Sequence, residues 1–273
     1  VFSGDGSGLT GVNAAMVGGV SGANLWKLNG NSGVGSGQFL GTTDNQPLEF
    51  RVNGQRALRL EPNGYGHPNV IGGAYNTVAA GAAGATIGGG AFNEVQTNAA
   101  YSTIGGGSAN IIQTDAYHST IGGGYQNTIQ GDARNAAIGG GWKNTIWSNT
   151  TESIIGGGNH NTIQTSASSS TIGGGMNNTI QTGASYSIIG GGFNNTIQTN
   201  ATLATIPGGF FNVAAGGYSF AAGYRAKANH QGAFVWADSQ IADFASTATD
   251  EFNIRAQNGV RIQANKGIHL DAQ

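Results

Sequence analysis

Apolar side chains recur every 17 residues between Asn69 and Asn212, and two columns of them run through the repeats. The first column consists of isoleucines that precede a proline or glycines: Ile87, Ile104, Ile121, Ile138, Ile155, Ile172, Ile189 and Ile206. The second consists of Val78, Val95, Ile112, Ile129, Ile146, Ile163, Ile180 and Ile197. A short, fixed period without insertions is typical of a solenoid whose turns stack on one another.

Each repeat predicts two short β-strands joined by two turns. Its consensus is (A/S)-(T/I)-I-G-G-G-x-x-N-T-I-Q-T-x-A-x-x, in which two β-prone segments alternate with glycines and with T-x-A-x-x. Helical repeats need about 33 residues or more, and each glycine inside a helix costs roughly 1 kcal/mol. We therefore predict flat coils whose strands pair in parallel, about 4.8 Å apart.

Three further columns carry polar or small residues. We expect the asparagines to bond the backbone of their own and the next coil, and asparagine tolerates left-handed angles: Asn76, Asn93, Asn110, Asn127, Asn144, Asn161, Asn178, Asn195 and Asn212. An alanine column predicts a tight turn wall: Ala82, Ala99, Ala116, Ala133, Ala167, Ala184 and Ala201, interrupted by Thr150. A glutamine column predicts an amide ladder: Gln96, Gln113, Gln130, Gln164, Gln181 and Gln198.

The flanks of the repeat predict smaller modules. Residues 1–25 read as a glycine-rich fibre connector, and residues 26–68 as a β-hairpin module around the Asn53-Gly54 turn. The β-roll itself covers residues 69–215, and residues 216–243 form a closing segment. A second Asn-Gly turn predicts a C-terminal hairpin in residues 244–273, leading to a stalk or a removable chaperone.

The repeat unit (S/T)-I-G-G-G-x-x-N-T-I resembles the S-V-A-I-G-x-x-S repeat in the heads of trimeric autotransporter adhesins. Tyr218–Asn229 resembles such a head repeat, and Gly232–Ser239 resembles the segment that closes these heads. The resemblance implies a left-handed parallel β-roll wound as a homotrimer. Residues 4–12 and 42–54 resemble segments of bacterial and phage tail-fibre-like proteins.

The predicted fold is therefore all-β: a parallel β-roll or solenoid of about nine 17-residue coils, flanked by small hairpin modules. The winding hand and the trimer are implied by the resemblance. The residues also favour an oligomer, because such a coil has a thin core and broad faces of Thr and Ile, and a continuous apolar stripe marks an interface.

The amino-acid composition argues against several classes of function. The 273-residue chain has 50 glycines, and its net charge of −2 gives no electrostatic reason to expect nucleic acid or an anionic membrane. The absence of cysteine excludes disulfides and thiolate metal sites. The sequence contains no run of about 18 apolar residues, so it predicts no membrane-spanning helix. Because the chain begins at Val1 without a signal peptide, we expect a fragment or a processed form.

Bulky residues that vary between repeats are the candidates for recognition, since a solenoid presents specific surfaces where its repeats differ. Aromatic rings beside amides and hydroxyls suit sugars or a protein receptor. An alternative is that the rings cover apolar edges or pack between subunits. The predicted receptor-binding surface comprises Tyr101, Tyr117, His118, Tyr125, Trp142 and Phe193.

One column stacks Asn98, Asp115, Asp132 and Asn149. Two carboxylates about 5 Å apart would suit a retaining glycosidase or a shared cation, but turn-forming Asp and Asn side chains explain the column without either. His118 and His160 lie in different turns and form no metal pair. We therefore predict no catalytic, cofactor-binding or metal-binding residues, and not an enzyme.

Three functions remain open. The first is an extracellular or surface-exposed trimeric fibre or adhesin module that attaches to a cell-surface glycan or protein receptor. The second is a structural subunit of a filament or tail fibre, held by end-to-end contacts. The third is a polysaccharide depolymerase, which would need a cleft and a carboxyl group of raised pKa.

Overall fold

The computed structural model describes residues 16–17, 20–21 and 32–263, and these residues form strands, bridges and turns with no helix. The chain divides into two units, residues 1–44 and 45–273. In the first unit, β1 (Met16–Val17) pairs antiparallel with β2 (Val20–Ser21). The rest of the predicted connector lies outside the described residues.

The second unit opens with the predicted hairpin, which is confirmed. Strands β3 (Leu48–Val52) and β4 (Gln55–Glu61) pair antiparallel, with Val52 opposite Gln55. The φ angles of Asn53 and Gly54 are 48° and 73°, and two positive values are what a type I′ turn requires. Strand β5 (Asn69–Gly72) then pairs antiparallel with β4 and begins the solenoid.

The solenoid strands follow in chain order as short segments that alternate between two sheets. They are β6 (Thr77–Val78), β7 (Thr86–Ile87), β8 (Glu94–Val95), β9 (Thr103–Ile104), β10 (Ile111–Ile112), β11 (Thr120–Ile121), β12 (Thr128–Ile129), β13 (Ala137–Ile138), β14 (Thr145–Ile146), β15 (Ile154–Ile155), β16 (Thr162–Ile163), β17 (Thr171–Ile172), β18 (Thr179–Ile180), β19 (Ile188–Ile189), β20 (Thr196–Ile197), β21 (Thr205–Ile206), β22 (Gly209–Phe210), β23 (Val213–Ala214), β24 (Phe220–Tyr224), β25 (Ala226–Ala228), β26 (Phe234–Ala237), β27 (Phe244–Ala245) and β28 (Phe252–Arg255).

Successive coils pair in parallel and in register, as the period predicts. The first sheet runs from the hairpin through β7 and β9 to β28, and the second runs from β6 through β8 to β27. Ile121 pairs with Ile138 in the first sheet, and Ile129 pairs with Ile146 in the second. The fold class is confirmed.

Each coil also contains a third parallel contact that the two-strand prediction did not include. It is a ladder of single-residue bridges at the position after the glycines: Ala74, Ala91, Ser108, Tyr125, Trp142, Asn159, Met176, Phe193 and Phe210. The ladder fixes the turn between the two strands of a coil. The glycine-rich segment is therefore an ordered part of the solenoid wall.

The solenoid has about eleven coils rather than nine, because the second sheet has 11 strands. The ladders continue through the predicted closing segment, where Val213 pairs with Lys227 and Lys227 with Ala245. Strand β28 pairs in parallel with β26, and residues 256–263 form no strand. The remainder of the predicted C-terminal hairpin, residues 264–273, lies outside the described residues.

The core lies between the two sheets and is filled by the predicted columns. The eight isoleucines of the first column are fully buried, as are the second-column residues from Val95 to Ile197 and the alanine wall. A buried serine column joins them, although the sequence pattern assigned it no role. The hydroxyl of Ser119, for example, donates to the carbonyl of Ala133 at 3.0 Å and accepts the N–H of Ala136 at 3.2 Å.

The asparagine column bonds its own and neighbouring coils, as predicted. Asn127 donates to the carbonyls of Gly123 and Gly141 at 2.9 and 3.0 Å, and its side-chain oxygen accepts the N–H of Asn144 at 3.0 Å. The column asparagines do not use the left-handed conformation that this residue type tolerates. The preceding residue takes that conformation, as in Gln126 and Lys143 with φ of 56° and 54°.

The glutamine column does not form the predicted amide ladder. The side-chain oxygen of Gln164 instead accepts the N–H and hydroxyl of Thr182 at 3.2 and 3.4 Å. Gln181 makes the same contacts with Thr199 at 3.1 and 3.3 Å. Gln164 and Gln181 thus hold the turn of the following coil. Within the described residues, no helix has the length and apolarity needed to cross a membrane.

Candidate functional site

The variable residues occupy two surfaces of the solenoid. We call the two positions after the glycines, from Ala74–Tyr75 to Phe210–Phe211, the glycine corner. We call the T-x-A-x-x turn, from 97–101 to 199–203, the alanine corner. The structure divides the six predicted recognition residues equally between them: Tyr101, Tyr117 and His118 in the alanine corner, and Tyr125, Trp142 and Phe193 in the glycine corner.

The backbone positions these side chains. In the alanine corner, Tyr101 and His118 have φ of 57° and 58°, and the N–H of each bonds a carbonyl of the preceding coil at 2.9 Å. In the glycine corner, the N–H of Trp142 bonds the carbonyl of Gly158 at 2.9 Å. Each ring therefore projects from a backbone that neighbouring coils hold in place.

The alanine-corner rings contact one another. Tyr101 stacks on His118 with centroids 5.2 Å apart and ring planes 11° apart, and Tyr117 meets His118 edge-on at 5.4 Å. The guanidinium of Arg134 lies 4.7 Å from the Tyr117 ring centroid and pairs with Asp132 at 3.0 Å. Because these ring faces already have partners within the chain, this group is a packed surface cluster. Arg134 was missing from the predicted surface.

The stacked carboxylate column has the geometry of a turn. Asp115 and Asp132 have φ of 61° and 58°, in the left-handed region that turn-forming residues adopt. Their backbone N–H groups bond carbonyls of the preceding coil at 3.1 and 3.2 Å. Within the described residues, no group of three or more His, Asp or Glu side chains could hold a metal ion.

In the glycine corner, Phe193 belongs to a packed cluster. Its ring stacks on Phe210 with centroids 4.9 Å apart, and Phe210 also contacts Phe211 at 4.6 Å and Tyr224 at 5.5 Å. Phe193 is half-buried, so its ring covers neighbouring apolar surface. The adjacent aromatic residues Phe210 and Phe211 were the available sequence signal for this cluster.

Tyr125 and Trp142 form an exposed aromatic pair on successive coils of one column. Their backbones are bridged, and the side chains are 47% and 45% exposed. The ring of His160 meets Trp142 edge-on at 5.3 Å, and the ammonium of Lys143 lies 5.3 Å from the Trp142 ring centroid. The amide side chains of Gln126 and Asn159 occupy the adjoining positions of the corner.

Charges are distributed unequally between the corners. Asp115, Asp132, Glu152 and the cationic Arg134 lie in the alanine corner, whereas Lys143 is the charged residue of the glycine corner. Nearer the C-terminal end, Arg225 pairs with Asp243 at 2.7 Å, and this contact raises the pKa of the guanidinium. Burial lowers the pKa of Lys227 beside the same carboxylate.

No protein-family model matches the chain, and a search of curated proteins finds no match. The parallel β-solenoid is shown by strand pairing. The resemblance to trimeric autotransporter heads remains a prediction.

Proposed function

We propose that the protein is an extracellular or surface-exposed homotrimeric fibre module that presents a rigid β-roll surface to a glycan or protein receptor. The module has no catalytic role in this proposal. Its left-handed winding, its trimeric state and its adhesin character follow the family resemblance.

The observation that carries the proposal is the separation of constant from variable positions. The buried isoleucine, alanine and asparagine columns repeat with few changes over many coils, while size and chemistry vary at the two exposed corners. A solenoid of this kind is a rigid support for a chosen set of surface side chains. That arrangement suits recognition better than it suits catalysis, which needs a water-excluding cleft.

An uncharged face of the first sheet supports self-association. We call it the threonine face, and its outward column is Thr86, Thr103, Thr120, Ala137, Ile154, Thr171, Ile188, Thr205, Phe220, Phe234 and Phe252. Ile154 and Ile188 are 46% and 48% exposed. Exposed glycines run beside this column from Gly88 to Gly190, which allows another chain to approach closely. Such a face fits the interface of an oligomer.

The molar mass in solution tests the trimer. We expect the chain to have three times the 27.5-kDa mass of one copy, and Ile154→Glu with Ile188→Glu to reduce it to one copy, since buried unpaired charge opposes association. The matched control is Thr162→Glu with Thr179→Glu on the second sheet, where Glu94 already occupies the same column. A monomeric wild-type chain would contradict the trimer.

Receptor binding is tested by applying the wild-type chain to arrays of glycans and extracellular proteins. Specific binding that survives washing supports an adhesin. Absence of binding from a correctly assembled trimer would favour the purely structural role.

A filament subunit is the second candidate, favoured by the C-terminal end of the first sheet. The rings of Phe220, Phe234 and Phe252 stack at centroid distances of 4.7 and 4.6 Å, and Phe252 at the end is 72% exposed. A second copy could continue this stack end to end. Sedimentation over a range of concentrations tests it: growth that Phe252→Ser abolishes supports a filament, and a constant mass opposes one.

A further inference from the structure

We infer that Tyr125, Trp142 and Lys143 form a binding site for a saccharide that carries a carboxylate. The inference rests on the proposed display function and deepens it by assigning the site and the ligand chemistry.

The first step is the unpaired charge of Lys143. Between residues 69 and 255, the other cationic side chains, Arg134, Arg225, Lys227 and Arg255, all pair with an aspartate. Lys143 is exposed, and its ammonium lies by the Trp142 ring. The carboxylates of the adjacent coils lie in the alanine corner, so this ammonium is available to an anion from outside.

The second step is the accessibility of the two rings. Within the described residues Tyr125 has no ring contact, and Trp142 meets His160 edge-on and the Lys143 ammonium, whereas Phe193 and Tyr101 each stack on another ring. Their backbones are bridged on successive coils, about 4.8 Å apart. Apolar C–H faces of a sugar ring pack well against such aromatic surfaces, while its hydroxyls reach polar neighbours. The amide of Gln126 and the amide nitrogen of Asn159, whose oxygen contacts Nδ1 of His160, lie beside the rings as partners for those hydroxyls.

The third step is the small size of the aromatic pair. Along the bridge ladder it is bounded by Ser108 on one side and Asn159 on the other. A stable protein–protein interface buries roughly 800 Å² per partner around an apolar centre, which is far more than two rings offer. A single ring-shaped ligand with one anionic group fits the pair and the adjacent ammonium.

Four matched variants test the site because the repeat already contains the replacement residues. Ala91 occupies the column of Trp142, so Trp142→Ala is compatible with the fold. Gln126 has φ of 56° in the column of Lys143, so Lys143→Gln is also compatible. Phe92→Ala, at a distant coil of the same corner where Ala109 has φ of 56°, is the first control. Met176→Ala, in the bridge ladder, is the second.

Binding is measured by NMR of the ligand signals, which can be followed in every variant, with the methyl glycosides of glucuronic acid and N-acetylneuraminic acid as probes. Their methyl esters are the neutral counterparts. We expect at least one acid to bind about tenfold more tightly than its ester, the range of a hydrogen bond to a charged group. Lys143→Gln should remove that difference, Trp142→Ala should abolish binding, and both controls should behave as wild type. Raising the salt concentration should weaken acid binding.

Equal affinity for acid and ester, or binding that persists in Trp142→Ala, would overturn the assignment. A tetraglutamate peptide that binds as tightly as the acids would overturn the preference for a saccharide. If no sugar probe binds but the wild-type trimer still binds a receptor on an array, the inference fails and the proposed function stands. A monomeric chain without any receptor would defeat the proposed function separately.

Discussion

At the residue scale, the coil closes because particular residues accept left-handed backbone angles. Asn98 and Tyr101 have φ of 58° and 57° in the alanine corner, and Phe92 has φ of 60° in the glycine corner. A left-handed conformation costs an ordinary residue roughly 1–2 kcal/mol, whereas asparagine and glycine tolerate it. The stacked core must therefore offset a recurring local strain.

The glycines differ in how strictly they are required, and Gly175 and Gly174 make a matched pair. A Cβ atom on Gly175, with φ of 85°, would overlap the carbonyl oxygen of Gly192, whereas one on Gly174 meets no atom within 4 Å. We expect Gly175→Ala to lower the free energy of unfolding by about 3 kcal/mol, from overpacking and strain. Gly174→Ala should change it by less than about 0.5 kcal/mol. Urea denaturation measures both, and equal losses would show that the close approach at Gly175 does not limit stability.

The asparagine ladder predicts a second large effect. Asn144 donates to the carbonyls of Gly140 and Gly158 at 2.9 Å and accepts the N–H of Asn161 at 3.0 Å, in full burial. Asn144→Ala leaves these groups unpaired, which should cost about 2–4 kcal/mol of unfolding free energy.

The control for the ladder is Asn159→Ala, because Ala91 already occupies its column. Thermal unfolding by circular dichroism compares the two variants with wild type. A similar stability for Asn144→Ala and Asn159→Ala would show that the buried amide contributes little.

Periodicity made the buried columns predictable, because a core position is constrained in every coil. It could not place the left-handed residues: Phe92 and Lys143 have no strong preference for that conformation, and the strain is imposed by the stacked neighbours. The repeat pattern did not predict the glutamine contacts either. A column of amide side chains can bond to one another or to the turn of the next coil, and Gln164 does the latter.

At the scale of the elements, the bridge ladder escaped prediction because its position varies from Ala91 to Trp142 to Phe193. A backbone contact that accepts such different side chains leaves no compositional signal. The same variation predicted that this position is exposed, as it is at Tyr125 and Trp142. Whether a ring packs against another ring depends on the residue 17 positions away in the next coil. Phe193, for example, stacks on Phe210.

The connection between β27 and β28 contains a carboxylate that should respond to acid. Hydrogen bonds from the hydroxyl and the N–H of Thr247, at 2.5 and 2.6 Å, lower the pKa of Glu251 from 4.5 to about 2. A depressed pKa stabilises this connection above pH 4.5, and the contribution is lost as the pH falls through about 2.

An NMR titration of the Thr247 amide measures this effect. In wild type we expect the Thr247 amide signal to shift with a midpoint near pH 2, as the Glu251 carboxyl is protonated. In Glu251→Gln, which keeps an acceptor oxygen without the charge, this shift should be absent. A midpoint near 4.5 would show that the Thr247 contacts do not persist in solution.

At the scale of the whole molecule, the paired strands make each coil depend chiefly on the coils before and after it. Thr145 pairs with Thr128 on one side and Thr162 on the other, and the same relation recurs along the second sheet. Stability in such a solenoid is approximately a sum of coil and neighbour terms. The number of coils is then less constrained than the spacing between equivalent residues.

Deletion of one complete repeat tests this independence of length. Removing residues 154–170 joins Ser153 to Thr171 and brings Ile138 against Ile172 and Asn144 against Asn178, so all columns stay in register. Removing residues 154–169 shifts every following position by one, which turns core residues outward because side chains in a strand alternate between faces. We expect the first variant to keep the wild-type circular dichroism spectrum and a cooperative urea transition, and the second to lose both. If the two deletions behaved alike, register would not be what holds the coils together.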